Sequence, residues 1–192
     1  MSSQGSLPGF DPAIPTDRLF LAVFPDPQHA AQLETWAAQR LATQGFRGKP
    51  VEAGRLHVTL FHLGDYTELP PGLVAQASEA LSHLAAEPFA IRFDRVGSFS
   101  SRHANAAWVL TASEGNEALH ALHKQLATHL RTAALAQHTR DSFTPHMTLV
   151  YDKAAVPFES IEPLTWPVRE VLLIHSLLGK TRHIRLAGKS LG

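Results

Sequence analysis

Leu56-His57-Val58-Thr59-Leu60-Phe61 comes back as Pro145-His146-Met147-Thr148-Leu149-Val150, with His146 standing 89 residues after His57. Each copy carries a histidine, an apolar residue, a threonine and a leucine in the same order. In an extended chain successive side chains alternate between faces, so His57 shares a face with Thr59, and His146 with Thr148. Val58 and Leu60, like Met147 and Leu149, turn the other way and anchor their strand in a core. The chain therefore makes the same offer twice: one imidazole and one hydroxyl on the open side of a strand.

The segments around the two copies are punctuated by proline and glycine. Arg18–Phe24 is a short apolar run closed by Pro25 and reads as a buried strand. Asp26-Pro27 supplies a helix cap and a proline at the first helical position, and Ala30, Leu33, Trp36, Ala37 and Leu41 recur at helical spacing up to Gly45. The first motif strand spans Arg55–Leu63. Pro70-Pro71-Gly72 opens a second helix with the stripe Leu73, Val74, Ala77, Leu81 and Leu84, and Pro88 closes it. Phe89–Val96 alternates as a half-buried strand does, and Ala106–Thr111 is another strand. Between them Gly97–Asn105, with Arg102 and His103 among serines, is a polar loop suited to face a ligand.

Glu117–Ala134 is a third helix, striped by Leu119, Leu122, Leu126 and Leu130. Its His120, His123 and His129 read as a solvated face, since His120 and His123 stand three apart and no carboxylate lies four residues from either in a metalloprotease-type arrangement. Phe143–Tyr151 is the second motif strand, and Val168–Leu178 with Arg182–Leu186 forms a hairpin around Gly179-Lys180-Thr181. Met1–Thr16, rich in glycine, proline and serine, reads as a flexible leader, leaving residues 17–192 as one folded domain. The element order is a loose internal duplication, each half holding one histidine–threonine strand.

The 192 residues are 44% apolar, enough for a real core. Lysine plus arginine equals aspartate plus glutamate at 17 each, so no global basic field exists and a nucleic-acid substrate must be held locally. The absence of cysteine excludes disulfides and thiolate metal sites and agrees with a reducing cytoplasm, the expected location. No apolar run reaches the roughly 18 to 20 residues of a membrane span, and Met1–Pro15 lacks the basic start and apolar centre of a signal peptide. Glycine-rich phosphate loops, zinc-type spacings and nucleophile elbows are all missing.

Two histidines across a cleft can divide the hydrolysis of a phosphodiester. One, neutral, takes a proton from water, and the other, protonated, gives one to the leaving alkoxide. Two threonines beside them can donate hydrogen bonds to the non-bridging oxygens, where charge gathers in the transition state. Such a scheme requires no metal or other cofactor and suits a strained ribose 2′,3′-cyclic phosphate.

The paired motifs resemble the His-x-Thr/Ser-x signature of the 2H phosphoesterase superfamily. Arg18-Leu-Phe-Leu-Ala-Val, Leu56–Gly64 and Phe143–Leu149 are similar to the corresponding stretches of RNA 2′,3′-cyclic phosphodiesterases, also called 2′-5′ RNA ligases. The resemblance implies a bilobal α+β fold with one small antiparallel sheet and flanking helices per lobe, and the site in the groove between lobes. It implies metal-free conversion of RNA 2′,3′-cyclic phosphate ends to 2′-phosphate ends, with weak reversible 2′-5′ ligation. His57 and His146 would be the acid–base pair, and Thr59 and Thr148 the phosphate donors. RNA ends or small cyclic nucleotides are then the partners, with no membrane and no obligate protein partner, and a monomer is expected. Related readings keep the chemistry but take ADP-ribose 1″,2″-cyclic phosphate or a 2′-5′ oligoadenylate; a non-catalytic RNA-end binder would not need two titratable groups.

Members of this branch often carry an aromatic residue five positions after the first histidine and an arginine five after the second, where this chain has His62 and Tyr151. Tyr151 can stack or donate a hydrogen bond, and Arg102, Arg140 or Lys153 can supply the missing charge. An ideal strand puts His62 on the face opposite His57 and makes it a bystander.

Overall fold

The computed structural model describes residues 14–44, 48–99, 106–152 and 155–192. Their elements follow in the order β1 (Asp17–Val23), α1 (Pro27–Gln44), a 3-10 turn (Ala53–Arg55), β2 (Val58–Tyr66), α2 (Pro71–Ser82), β3 (Phe89–Ser98) and β4 (Ala106–Thr111). Then come α3 (Glu117–Thr132), a second 3-10 turn (Ala136–His138), β5 (His146–Asp152), β6 (Glu159–Val168), β7 (Glu170–Leu177) and β8 (Arg182–Ser190).

The strands form an antiparallel sheet in the order β6-β3-β4-β5-β2-β1-β7-β8. Its two four-stranded halves meet only where β2 pairs with β5, through Val58 and Met147. The two motif strands are thus the seam of the molecule, and the two sheets expected from the sequence are one sheet with a narrow waist. The C-terminal hairpin β7–β8 completes the half begun by β1 and β2, while β3 crosses to join β4 and β5.

β1 shows how the layers are set. It lies between β2 and β7 and buries both faces, as a central strand with a continuous apolar run does. Leu19, Leu21 and Val23 enter the main core, whereas Phe20 and Ala22 join Leu172, Ile174 and Phe24 in a small cluster on the opposite face. The helices cover the first face: α2 packs on β7 and β8, α3 on α2 and β3, and α1 stacks Trp36 on Trp108 of β4 at 6.1 Å. The cap read from the sequence is present, the Asp26 carboxylate accepting the His29 N–H at 2.9 Å.

Two sequence expectations fail here. Strand β6 goes unread because Pro163 and Pro167 punctuate it; it is an edge strand, where a missing N–H is tolerated. His123 is not on a solvated face: it is 4% exposed and sandwiched between Phe61 and Phe143, ring centroids 4.3 and 4.2 Å away. The aromatic walls supplied by Phe61 of β2 and Phe143 ahead of β5 outweigh the histidine's polarity. Among the described residues no helix is long and apolar enough to cross a membrane.

Candidate active site

Each motif strand interrupts its ladder at the motif leucine. Against β1, Thr59 pairs with Ala22 and Phe61 with Leu21, so Leu60 has no partner; against β4, Thr148 pairs with Val109 and Val150 with Trp108, so Leu149 has none. These matching β-bulges invert the alternation of side chains. The residue five positions after each histidine therefore returns to the histidine's own face. His62 and Tyr151 line the same cleft as His57, Thr59, His146 and Thr148, which corrects the ideal-strand placement of His62 on the face opposite His57.

The cleft has a volume of about 580 Å³. One step either side of the Val58–Met147 pair sets His57 opposite Thr148 and Thr59 opposite His146. At that register the two imidazoles are diagonal neighbours, a relation that sets residues roughly 7–8 Å apart with their Cβ atoms somewhat closer, which leaves room for a phosphoryl group between the rings. One device aims both rings. His57 Nδ1 bonds the Arg55 carbonyl at 2.6 Å, and His146 Nδ1 bonds the Thr144 carbonyl at 2.9 Å. A carbonyl only accepts, so each Nδ1 carries the proton and each Nε2 is the free nitrogen. The Thr111 hydroxyl donates to the Pro145 carbonyl at 2.8 Å and pins the entry to β5. The hydroxyls of Thr59 and Thr148 have no hydrogen-bond partner among the described residues and are open to a ligand.

The two histidines differ in their surroundings. His57 stacks on Phe20 at 4.8 Å and on Phe24 at 5.3 Å, with His183 edge-on at 5.5 Å. Burial pushes its imidazole down to about 4, and the charges of His183, Arg55 and His146 add to the shift. His57 is thus neutral at neutral pH, with Nε2 ready to accept a proton. His146 meets the edge of Phe99 at 5.2 Å, its one ring contact among the described residues, and its carbonyl bond is exposed to solvent.

Of the charges expected from the sequence, Arg102 and Lys153 lie outside the described residues, and Arg140 lines a neighbouring cavity and not the cleft. The cleft holds Arg18 and Arg55 instead. Arg18 is clamped by Asp65 through two bonds of 2.7 Å, which hold that carboxyl down to about 2, and His62 Nε2 donates to the same carboxylate at 2.9 Å. Arg55 makes no ion pair among the described residues, and its Nε is buried without a partner. The 3-10 turn before His57 fixes it there, and its place two positions before the motif histidine is the signal that could have found it.

His183 was also missed. It is placed by cross-strand rows, Arg18 beside Ser176 and Ser176 beside His183, that no sequence spacing reveals. Both its ring nitrogens are buried with no hydrogen bond of ordinary geometry among the described residues, and burial pushes it down to about 4 against a weaker opposing pull from the Arg182 backbone. Among the described residues no group of three or more histidine, aspartate or glutamate side chains is arranged to hold a metal ion.

A family model for the 2′-5′ RNA ligase superfamily matches residues 25–179. No curated protein matches the sequence. Among solved structures, E. coli LigT complexed with 3′-AMP superposes with a TM-score of 0.72 at 24% identity, over 93% of this chain and 99% of that one. E. coli LigT complexed with ATP gives 0.69 at 25% identity, with coverages of 93% and 99%. TT0787 of Thermus thermophilus gives 0.69 at 28% identity, with coverages of 90% and 97%.

Proposed function

The chain belongs to the 2′-5′ RNA ligase superfamily, and on that premise we propose that it hydrolyses RNA 2′,3′-cyclic phosphate ends to 2′-phosphate ends by acid–base catalysis between His57 and His146. The observation that carries this reading is the pair of Nε2 atoms set diagonally across one cleft, each beside a threonine hydroxyl and all without a hydrogen-bond partner among the described residues.

The cyclic phosphate sits between the rings with its non-bridging oxygens on the hydroxyls of Thr59 and Thr148. Arg55, the cleft cation with no carboxylate partner among the described residues, balances its charge in place of the arginine absent at position 151. His57, held neutral by its phenylalanine walls, takes the proton of the attacking water on Nε2. The new P–O bond forms as P–O3′ breaks, and His146, the more open ring, delivers its Nε2 proton to O3′. A 5′-hydroxyl in place of water gives a 2′-5′ linkage by the same steps, which is the weak ligation. Tyr151, 61% exposed at the rim, offers its ring to the terminal base.

The test is turnover of nucleoside 2′,3′-cyclic monophosphates and of RNA ending in a cyclic phosphate, in EDTA, with the product isomer identified. His57→Ala and His146→Ala each remove most turnover while the fold persists. Dependence on added divalent metal, or near-normal turnover in either variant, refutes the two-histidine mechanism.

A further inference from the structure

A second cavity, of about 290 Å³, lies beside the cleft and is not used by the reaction above. It forms where β2 runs on past its single pair with β5 and the segment 136–143 lies alongside instead. Phe61, His123 and Phe143 wall it, and His62, His138 and Arg140 stand around them. His62 also borders the cleft, so the two spaces adjoin at that side chain.

The chemistry of this cavity is one-sided. Among the described residues no carboxylate lines it, and its charge is that of Arg140: His62 is bonded to the Asp65 carboxylate, and burial pushes His123 down to about 4 and lowers His138 as well. Arg140 makes no ion pair among the described residues; its one hydrogen bond, to the adjacent Thr139 carbonyl, is 3.5 Å long. The nearby Asp141 is taken by Arg131 at 2.7 Å and does not quench that charge. His123, held parallel between Phe61 and Phe143 at 15° and 2°, has no hydrogen-bond partner for its ring nitrogens among the described residues. Unbalanced positive charge beside aromatic walls is a site for an anion attached to a flat or apolar group.

Resting on the reading of the cleft as a cyclic-phosphate site, we propose that this cavity binds the phosphodiester preceding the terminal nucleotide of an RNA strand, with Arg140 as its principal charge. A strand that leaves its cyclic end between His57 and His146 passes His62 on the way. The enzyme then prefers the ends of RNA chains over cyclic mononucleotides, and does so without a net positive charge: lysine plus arginine and aspartate plus glutamate balance at 17 each.

The experiment compares a dinucleotide ending in a 2′,3′-cyclic phosphate with a nucleoside 2′,3′-cyclic monophosphate. Arg140→Ala lowers kcat/KM for the dinucleotide about tenfold, through KM, as loss of one charge-assisted hydrogen bond requires, and leaves the mononucleotide within about twofold. Arg140→Lys restores most of the loss, and added salt shrinks the wild-type preference. Calorimetric titration with the mono- and dinucleotide 2′-phosphates reads the same contrast without turnover. An equal effect on both ligands, or none, overturns the second site. A wild-type protein that hydrolyses neither cyclic compound overturns the hydrolase reading separately, and the calorimetric contrast still decides the cavity.

Discussion

Arg55→Met removes from the cleft its cation that has no carboxylate partner among the described residues while keeping an apolar stem of similar length. If Arg55 meets the phosphate, the variant loses a hydrogen bond between charged groups. Such a bond contributes about 1.5–3 kcal/mol, which converts to a fall in kcat/KM of roughly 10- to 150-fold. Arg55→Lys keeps the charge without the planar fork and recovers part of it. A second effect follows from geometry: the Arg55 charge helps hold His57 down, although burial against Phe20 and Phe24 is the larger cause. The acid limb of kcat/KM, which reports the free enzyme's base, therefore lies near pH 4 in the wild type and moves upward in Arg55→Met, staying below the ordinary histidine value of about 6.5. Initial rates on a nucleoside 2′,3′-cyclic monophosphate between pH 4 and 9 read both effects. A variant with kcat/KM within twofold of wild type and an unmoved acid limb refutes the assignment of Arg55 to the phosphate.

Stability carries its own pH signature. His57, His123 and His183 are each pushed to about 4 in the folded chain, so between that value and their ordinary value near 6.5 the unfolded chain binds more protons, and stability falls as pH drops through that window. His123→Phe, which continues the stack between Phe61 and Phe143, removes one of these groups; urea unfolding at pH 5 and 7.5 should show it about 2 kcal/mol better at pH 5, relative to wild type, than at pH 7.5. Parallel losses in the two proteins would count against a buried neutral His123. Gly97→Ala would set a Cβ 2.6 Å from the Phe158 Cα, a backbone atom with little freedom to yield, so the urea midpoint falls by the equivalent of about 1–3 kcal/mol; an unchanged midpoint contradicts the close approach.

The helices and the paired motif strands were legible because their periodicity is strong and their punctuation is chemical: Asp26-Pro27 can begin a helix but not sit inside one. The edge strand β6 was not, because the prolines that make it harmless at an edge also erase its pattern. The cleft cations were hidden for another reason. Arg18 reaches its place through pairing with Asp65 and Ser176, contacts 47 and 158 positions away along the chain (65 − 18 and 176 − 18). The bulges are the most instructive case. Leu60 and Leu149 look like any core leucine, yet each is the extra residue that turns the rest of its strand over. A trace of this was present in the sequence. The resemblance assigns work to the residue five positions after each histidine, and five is an odd number: on an unbroken strand such a residue faces away from its histidine. For the i, i+2 and i+5 positions to serve one site, an extra residue must fall between the threonine and the fifth position. In each motif strand the unpaired residue falls there, at the leucine that follows the threonine.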